Sequence, residues 1–402
     1  MKIPGPQRST LLVVMYGNPA FHPPTINAVR LMGDHFRVFV VHRNDDGPPA
    51  QWPPDVEVRP IGPSGAQGIK SARGPAAKLA EFTGFIRELR RTLAEARPQF
   101  VYAYDPVGFS AAMRARGGAV SPPVIFHCHD LPALDRPRFT SLQFWISRYA
   151  LRRTRDAALV VFPSEYRAQA WLERARDRRP ALIVPNGAAR DFSSPCEDLR
   201  SLAGIRFQDR RALYLGSMSP ENGQAGAIAA LAMLPRTSLD IVGFGLAAYR
   251  EELRTIARTA GVEMRVNVEG WVSDAERMRR LRLAALGLLL YRAASLNWEH
   301  SGSSANKLFE YAAMGLPVVV PDRKSFREFF AADSWVAYAK PEDPASIARA
   351  IEFILADRAR YVAMSLAARK AHEEKYNYET VFQPVLARLD QLAAGHGPEA
   401  NP

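Results

Sequence analysis

The feature that most restricts the fold is a recurring one. Short apolar runs stop at turn or polar residues and are separated by segments of helical period, and this happens twice along the chain. The first set is Leu11 to Tyr16, Val38 to Val41, Val101 to Ala103, Val124 to His127 and Leu159 to Phe162. The second is Ala212 to Leu215, Leu239 to Val242, Val268 to Glu269, Leu286 to Tyr291 and Val318 to Val320. Such runs are far shorter than the roughly 18 residues a membrane span needs. They read as strands buried on both faces of a parallel sheet. Between them, spacings such as Leu79, Phe82, Ile86, Leu89 and Leu93 within 76–96 mark helices. Strand, helix, strand repeated in this way specifies a parallel, doubly wound α/β sheet. At 402 residues there is enough chain for two of them. The expected domains are 1–190 and 208–375. Residues 188–208 read as a linker, and a C-terminal helical segment, 376–394, follows the interruption at Tyr376–Tyr378. The Gly- and Pro-rich stretch 45–75 reads as a loop.

Apolar residues make up 47% and charged residues 23%, which specifies a globular chain. Two cysteines, Cys128 and Cys196, are too few for a disulfide framework. No signal-peptide pattern opens the chain. A cytoplasmic setting is therefore expected. The net charge of +12 is unevenly placed. Residues 1–195 hold 27 Lys and Arg against 16 Asp and Glu, and the remainder is nearly balanced. Such a field favours an anionic partner on the first half. The basic residues crowd 136–179, from Arg136 and Arg138 to Arg178 and Arg179, and line one side of the 76–96 helix. Peripheral contact with an anionic membrane surface and an ordinary solvated basic face are both compatible with this. No helix-turn-helix, zinc-finger or RNP pattern accompanies the arginines, so nucleic acid is not the expected partner.

The stretch 303–320 carries the chemistry. Ser303 and Ser304 are N-cap residue types, Leu308, Tyr311, Ala312 and Met314 share a helical face, Gly315 and Pro317 stop the helix, and Val318 to Val320 follow as a strand. The free amides that open such a helix, at Ser304, Ala305 and Asn306, suit a phosphate, and Lys307 adds a full charge. Glu310 lies one turn on. A carboxylate beside a phosphate site is repulsive unless it has another task, and accepting hydrogen bonds from ribose hydroxyls is one. The implied ligand is a nucleotide diphosphate.

This stretch resembles the donor-site motif of family-4 glycosyltransferases of the GT-B fold, in the branch reading NKLFEYMAxGxPVV. The resemblance implies two Rossmann-like domains facing a cleft, with the last helix crossing back to the first domain. In many relatives a Glu precedes the ribose-holding Glu by eight positions. The second matches Glu310, while the first falls on Gly302, and Glu299 is three residues too early. The segment 212–223 resembles FVGRLSPEKG, whose Arg and Lys bind the donor diphosphate. Here Gly216 is kept, but Ser217 and Asn222 stand where the cations would be, which leaves Lys307, Arg292 and backbone N–H groups to neutralise the diphosphate. Leu239 to Gly245 is similar to LxIVGxG, with Gly243 at the close approach. The residues after Gly270, Trp271 and Val272, match the place where main-chain groups hold the base.

On the first domain, Phe126 to Leu131 is similar to the HxHDL segment of the acceptor side. There the resemblance makes His129 face the transferred sugar, with Asp130 as its neighbour or as an acceptor contact, and it counts both, with Lys307 and Glu310, among the catalytic residues. Gly17 and Asn18, at the end of the first strand, join His129 on that side, because open parallel sheets bind ligands at the carboxyl ends of their strands. A metal held by the His127–Asp130 run would need a further ligand from elsewhere.

The resemblance implies transfer of a hexose-type sugar from a UDP- or GDP-linked donor to a hydroxyl of a glycan, lipid-linked saccharide or small molecule, with retention of configuration. The nucleotide sugar is a co-substrate. No further cofactor is expected, and no metal, since the chain has no Asp-x-Asp motif. Two other readings share these features. One is a UDP-sugar 2-epimerase of the same fold, and the other is a non-catalytic protein that binds polyanions or a membrane surface.

Overall fold

The computed structural model describes residues 8–45, 49–66, 74–117, 121–132, 141–193, 198–293 and 295–395. The chain divides into two compact units, Met1–Pro185 with Val381–Pro402, and Asn186–Thr380.

In chain order the first unit contains β1 (Thr10–Met15), α1 (Pro23–His35), β2 (Arg37–Asp45), β3 (Glu57–Ala66), α2 (Pro75–Ala96), β4 (Phe100–Tyr104) and α3 (Asp105–Ala115). It continues with β5 (Val124–His127), α4 (Leu142–Arg153), β6 (Leu159–Phe162), α5 (Glu165–Ala175) and β7 (Leu182–Ile183). Its seven strands lie in the order β3-β2-β1-β4-β5-β6-β7, and every pair is parallel. The order reverses between β1 and β4, which makes their carboxyl ends the switch point of this sheet. Apolar residues of β1, β4, β5 and β6 are sealed from solvent on both faces, as the continuous runs in the sequence require. Val381 onward also packs in this unit: the Phe382 ring lies 6.4 Å from Tyr102, and Gln99 donates to the Ala393 carbonyl at 3.2 Å.

The second unit begins with α6 (Leu199–Asp209), β8 (Arg211–Leu215), α7 (Gln224–Ala230), β9 (Ser238–Val242), α8 (Ala247–Thr259), β10 (Val266–Glu269) and α9 (Asp274–Leu283). Then come β11 (Leu286–Leu288), α10 (Leu296–Glu299), α11 (Asn306–Ala313), β12 (Val318–Pro321), α12 (Lys324–Phe329) and β13 (Val336–Ala339). The last helices of this unit are α13 (Pro344–Leu355) and α14 (Arg358–Ala371), with a π-helical turn at His372–Tyr376, and α15 (Tyr378–Gly395) starts here and belongs to the first unit from Val381 on. The six strands run parallel in the order β10-β9-β8-β11-β12-β13. Their switch point lies between β8 and β11. One side chain opens it: the Tyr311 hydroxyl donates to the Leu213 carbonyl at 3.1 Å and accepts the Leu215 N–H at 3.0 Å. Its ring crosses Gly287, where an added Cβ would lie 2.2 Å from a ring carbon. Glycine there lets the helix α11 sit against the switch point.

Several expectations change. The 45–75 stretch is not all loop, because Glu57–Ala66 forms β3, an edge strand that tolerates Pro60 and Gly62 where a central strand would not. The presumed linker holds α6, capped by the Asp198 side chain. Leu79 on α2 is 49% exposed, whereas Phe85 is buried in its place. Helix α11 begins at Asn306 after Ala305, with no side-chain cap. The Ser303 and Ser304 carbonyls instead accept from the Asn186 N–H and side-chain amide, each at 2.8 Å. Among the described residues, no helix is long and apolar enough to cross a membrane.

Candidate active site

In the second unit Gly216, Gly243 and Lys307, three of the predicted donor residues, meet beside the switch point. Gly216 and Gly243, at the ends of β8 and β9, have φ of 112° and 151°. They lie back to back: the Gly216 N–H donates to Val242 O at 2.9 Å, and a Cβ on Gly243 would fall 2.0 Å from the Gly216 carbonyl oxygen. Only glycine supplies both the left-handed backbone and the space. A Cβ on Gly216 would meet Cε and Nζ of Lys307 at 3.2 Å. Removal of these side chains leaves a short stretch of bare backbone beside a lysine.

Lys307 is 8% exposed, and its Nζ has no hydrogen-bond partner among the described residues. Nζ lies 3.8 Å from the centroid of the Tyr214 ring and 5.0 Å from that of Tyr291. Burial pushes its pKa well below that of an ordinary lysine, and the Glu310 charge offsets only part of this. The Asn306 N–H and Lys307 N–H, which open the helix, have no acceptor among the described residues, whereas the Ser304 and Ala305 N–H groups, expected to be free, both donate to the Ser301 carbonyl at 3.1 and 3.0 Å. A buried amine with no hydrogen-bond partner among the described residues, beside free amides, is complementary to a phosphate group.

Glu310 Oε2 accepts from Arg277 Nη1 at 2.7 Å. The pair raises the pKa of Arg277, whose guanidinium also lies 5.6 Å from the Phe192 ring centroid. Sequence reasoning missed Arg277, because α9 carries arginines at 277, 279, 280 and 282 and nothing in that run singles one out. Ser217 and Asn222, the substituted diphosphate positions, are tied to each other: Asn222 donates to the Ser217 carbonyl and hydroxyl at 2.6 and 2.9 Å, and Gln224 donates to the same carbonyl at 3.0 Å. They brace the loop after β8 and carry no charge. Arg292, at the end of the β11 segment, is half exposed, and its Nε stands 4.0 Å from Glu342. Trp271 is 58% exposed, beside the partly buried Val272.

In the first unit the ends of β1, β4 and β5 bring together His22, Tyr104, Asp105, His127 and His129. The His129 ring is buried and stacked at 10° to Tyr104, with centroids 5.0 Å apart. It stacks at 17° to His22, and its Nε2 lies 3.1 Å from Thr25 Oγ1. Its N–H donates to Asp105 Oδ1 at 2.8 Å, and its carbonyl accepts from Arg167. Burial drives the His127 pKa down to about 3, and its Nδ1 lies 2.9 Å from the Tyr102 hydroxyl. Asp130 points outward, its side chain 67% exposed and paired with Arg167 at 3.0 Å. Gly17 and Asn18 follow β1, where Asn18 Oδ1 accepts the Ala20 N–H at 2.9 Å. Among the described residues, no group of three or more His, Cys, Asp or Glu is arranged to hold a metal ion.

Part of the basic run 136–179 has a structural task. A cavity of about 900 Å³ lined by Arg155, Arg176, Arg178 and Arg179 lies at the amino ends of β6 and β7, away from the carboxyl ends that hold the site. Arg155 Nε caps the Arg176 carbonyl at the end of α5, and Arg179 donates to the Arg155 and Ala157 carbonyls. Arg136 and Arg138 lie outside the described residues.

Comparison with known proteins matches the chain in two parts. Residues 198–371 fit the family model for Glycosyl transferases group 1, and residues 25–187 fit the Glycosyl transferase 4-like domain. The chain is a nucleotide-sugar-dependent glycosyltransferase of the GT-B fold. A GDP-mannose-dependent alpha-(1-6)-phosphatidylinositol monomannoside mannosyltransferase from Mycobacterium tuberculosis is 24% identical over 326 residues, covering 79% of this chain and 82% of its own. Among solved structures, sucrose-phosphate synthase from Thermosynechococcus elongatus superposes with a TM-score of 0.75 at 16% identity, over 97% of this glycosyltransferase and 100% of that chain. HepE from Anabaena, in complex with UDP and glucose, gives 0.69 at 20% identity, over 96% and 100%.

Proposed function

We propose that this glycosyltransferase moves a hexose from a UDP- or GDP-linked donor to a hydroxyl of a glycan or lipid-linked acceptor, with retention of configuration. The observation that carries this reading is Lys307, a buried amine whose Nζ has no hydrogen-bond partner among the described residues, beside the switch point of the second sheet, with Glu310 one turn along the same helix. In the proposal, the donor diphosphate takes up Lys307 and the free amides of Asn306 and Lys307. These groups stabilise the charge that builds on the leaving diphosphate. Glu310 accepts the ribose hydroxyls, and the main chain at Trp271 and Val272 borders the base. His129, Gly17 and Asn18 belong to the acceptor side. The basic balance of the first half favours an anionic acceptor such as a phosphorylated lipid, reached peripherally from the cytoplasm. GDP-mannose and UDP-glucose are the first donors to test.

The test is a thermal-shift and calorimetric comparison of GDP, UDP, GDP-mannose and UDP-glucose, followed by anomeric analysis of the product. A nucleotide that binds wild-type protein but neither Lys307→Ala nor Glu310→Ala supports the site. Equal affinity in all three would refute it.

A further inference from the structure

Four non-glycine residues among those described have positive φ: Arg97, Asp105, Arg176 and Arg210. Arg97, Arg176 and Arg210 each end a helix, the ordinary place for a left-handed residue. Asp105 does the reverse. At φ 56° it is the first residue of α3, directly after β4, at the switch point of the first sheet. Aspartate adopts this backbone at some cost, and a strained residue persists where its surroundings hold it.

The surroundings are specific. Asp105 Oδ1 accepts the N–H groups of His129 and Asp130 at 2.8 and 3.3 Å, so one oxygen fixes the turn after β5. Oδ2 has no partner among the described residues and is not sealed from solvent. One turn along α3, Gly108 packs so tightly on β1 that a Cβ would lie 3.1 Å from Val14 O, which fixes the start of the helix. Asp130 is turned outward and paired with Arg167. It therefore leaves Asp105 as the inward carboxylate at these strand ends.

We infer that Asp105 Oδ2 receives the hydrogen bond of the acceptor's incoming hydroxyl and orients it. This rests on the glycosyltransfer reading above. Burial and the Asp130 charge raise its pKa to about 7, against the two amide donors and Arg167. Cys128, His22, Tyr104, His127 and His129 are the other titratable groups of this cluster among the described residues.

The test uses full-length protein with GDP-mannose and UDP-glucose as donors and octyl α-D-mannopyranoside as the acceptor probe. Nucleotide release is followed across pH, and GDP and UDP affinity is measured by calorimetry. Where the mannoside is not used, donor hydrolysis gives the same comparison, with water as acceptor. Asp105→Asn tolerates the left-handed backbone and keeps an oxygen for both amides. It should retain nucleotide affinity and lose about 10- to 100-fold in kcat/KM for the acceptor, the worth of a charge-assisted hydrogen bond. Its acidic limb near pH 7 should vanish. Asp105→Gly relaxes the backbone and should be no better. Wild-type acceptor kinetics in Asp105→Asn, or full recovery in Asp105→Gly, would overturn the inference. Absence of nucleotide binding and turnover in the wild type would instead remove the reading beneath it.

Discussion

Replacing Lys307 with methionine should stabilise the unliganded protein while disabling it. The Lys307 stem is packed, but its Nζ is buried without an acceptor. A lysine that titrates near 10.4 when unfolded can escape burial by giving up its proton, which costs about 4 kcal/mol at pH 7.5. This is a ceiling, because the Tyr214 ring 3.8 Å away attracts the cation, an effect worth about 0.5–2 kcal/mol. Methionine keeps the volume and removes the charge, so a net gain of about 1–3 kcal/mol is expected. For a unit of this size each kcal/mol moves Tm by about 2–4 °C. The folded pKa is depressed, so over the interval up to about 10.4 the unfolded chain binds a proton that the folded chain does not. Wild-type stability therefore rises with pH there, and the variant's advantage should narrow towards pH 10. A ligand diphosphate, in contrast, loses one charge-assisted partner, about 10- to 100-fold in Kd. Calorimetric scans with and without GDP, alongside titrations, measure both effects. A lower Tm with unchanged nucleotide affinity would mean that the ammonium is satisfied by the fold and never meets the ligand.

Other expectations follow from single contacts. Glu310→Ala should reduce the preference for GDP over 2′-deoxy-GDP to near unity, and Arg277→Met should reduce it in part, both read by competition titration; unaltered preference in Glu310→Ala would exclude the ribose role. Gly243→Ala drives a Cβ to 2.0 Å from the Gly216 oxygen at φ 151°. It should cost about 1–3 kcal/mol in denaturant unfolding and abolish nucleotide binding. His129→Ala should lose transfer while keeping nucleotide affinity, and a lost calorimetric signal for GDP would contradict its place on the acceptor side. Asp105 is held near 7, whereas the unfolded chain titrates near 3.9. Between these values the folded protein binds the extra proton, so stability falls as pH rises. Asp105→Asn should therefore melt higher than wild type at pH 8 and equal it at pH 4, and a gain that persists at pH 4 would contradict the buried carboxylate.

The architecture was legible because it rests on local pattern. Continuous apolar runs broken by turns force buried parallel strands, and the helix at 306–313, with its Gly315 stop at φ 64°, follows from residue types. The edge strand β3 and helix α6 were not legible, since Gly and Pro at an edge and a weakly amphipathic helix look like loop.

The sequence by itself supplied the groups proposed for the donor side: Lys307, Glu310, and glycines in place of side chains at 216 and 243. It also showed the absence of cations at Ser217 and Asn222. Tertiary structure alone decided their states. Lys307 Nζ faces the rings of Tyr214 and Tyr291, far apart in the chain, and has no hydrogen-bond partner among the described residues, and Glu310 is held by an arginine that its own helix does not contain. Asp105 turns inward and Asp130 outward because one lies at a strand crossover and the other meets Arg167. Residue type fixes what a group can do, but burial and partners set its charge, and those come from chain segments that meet only when the sheets are wound.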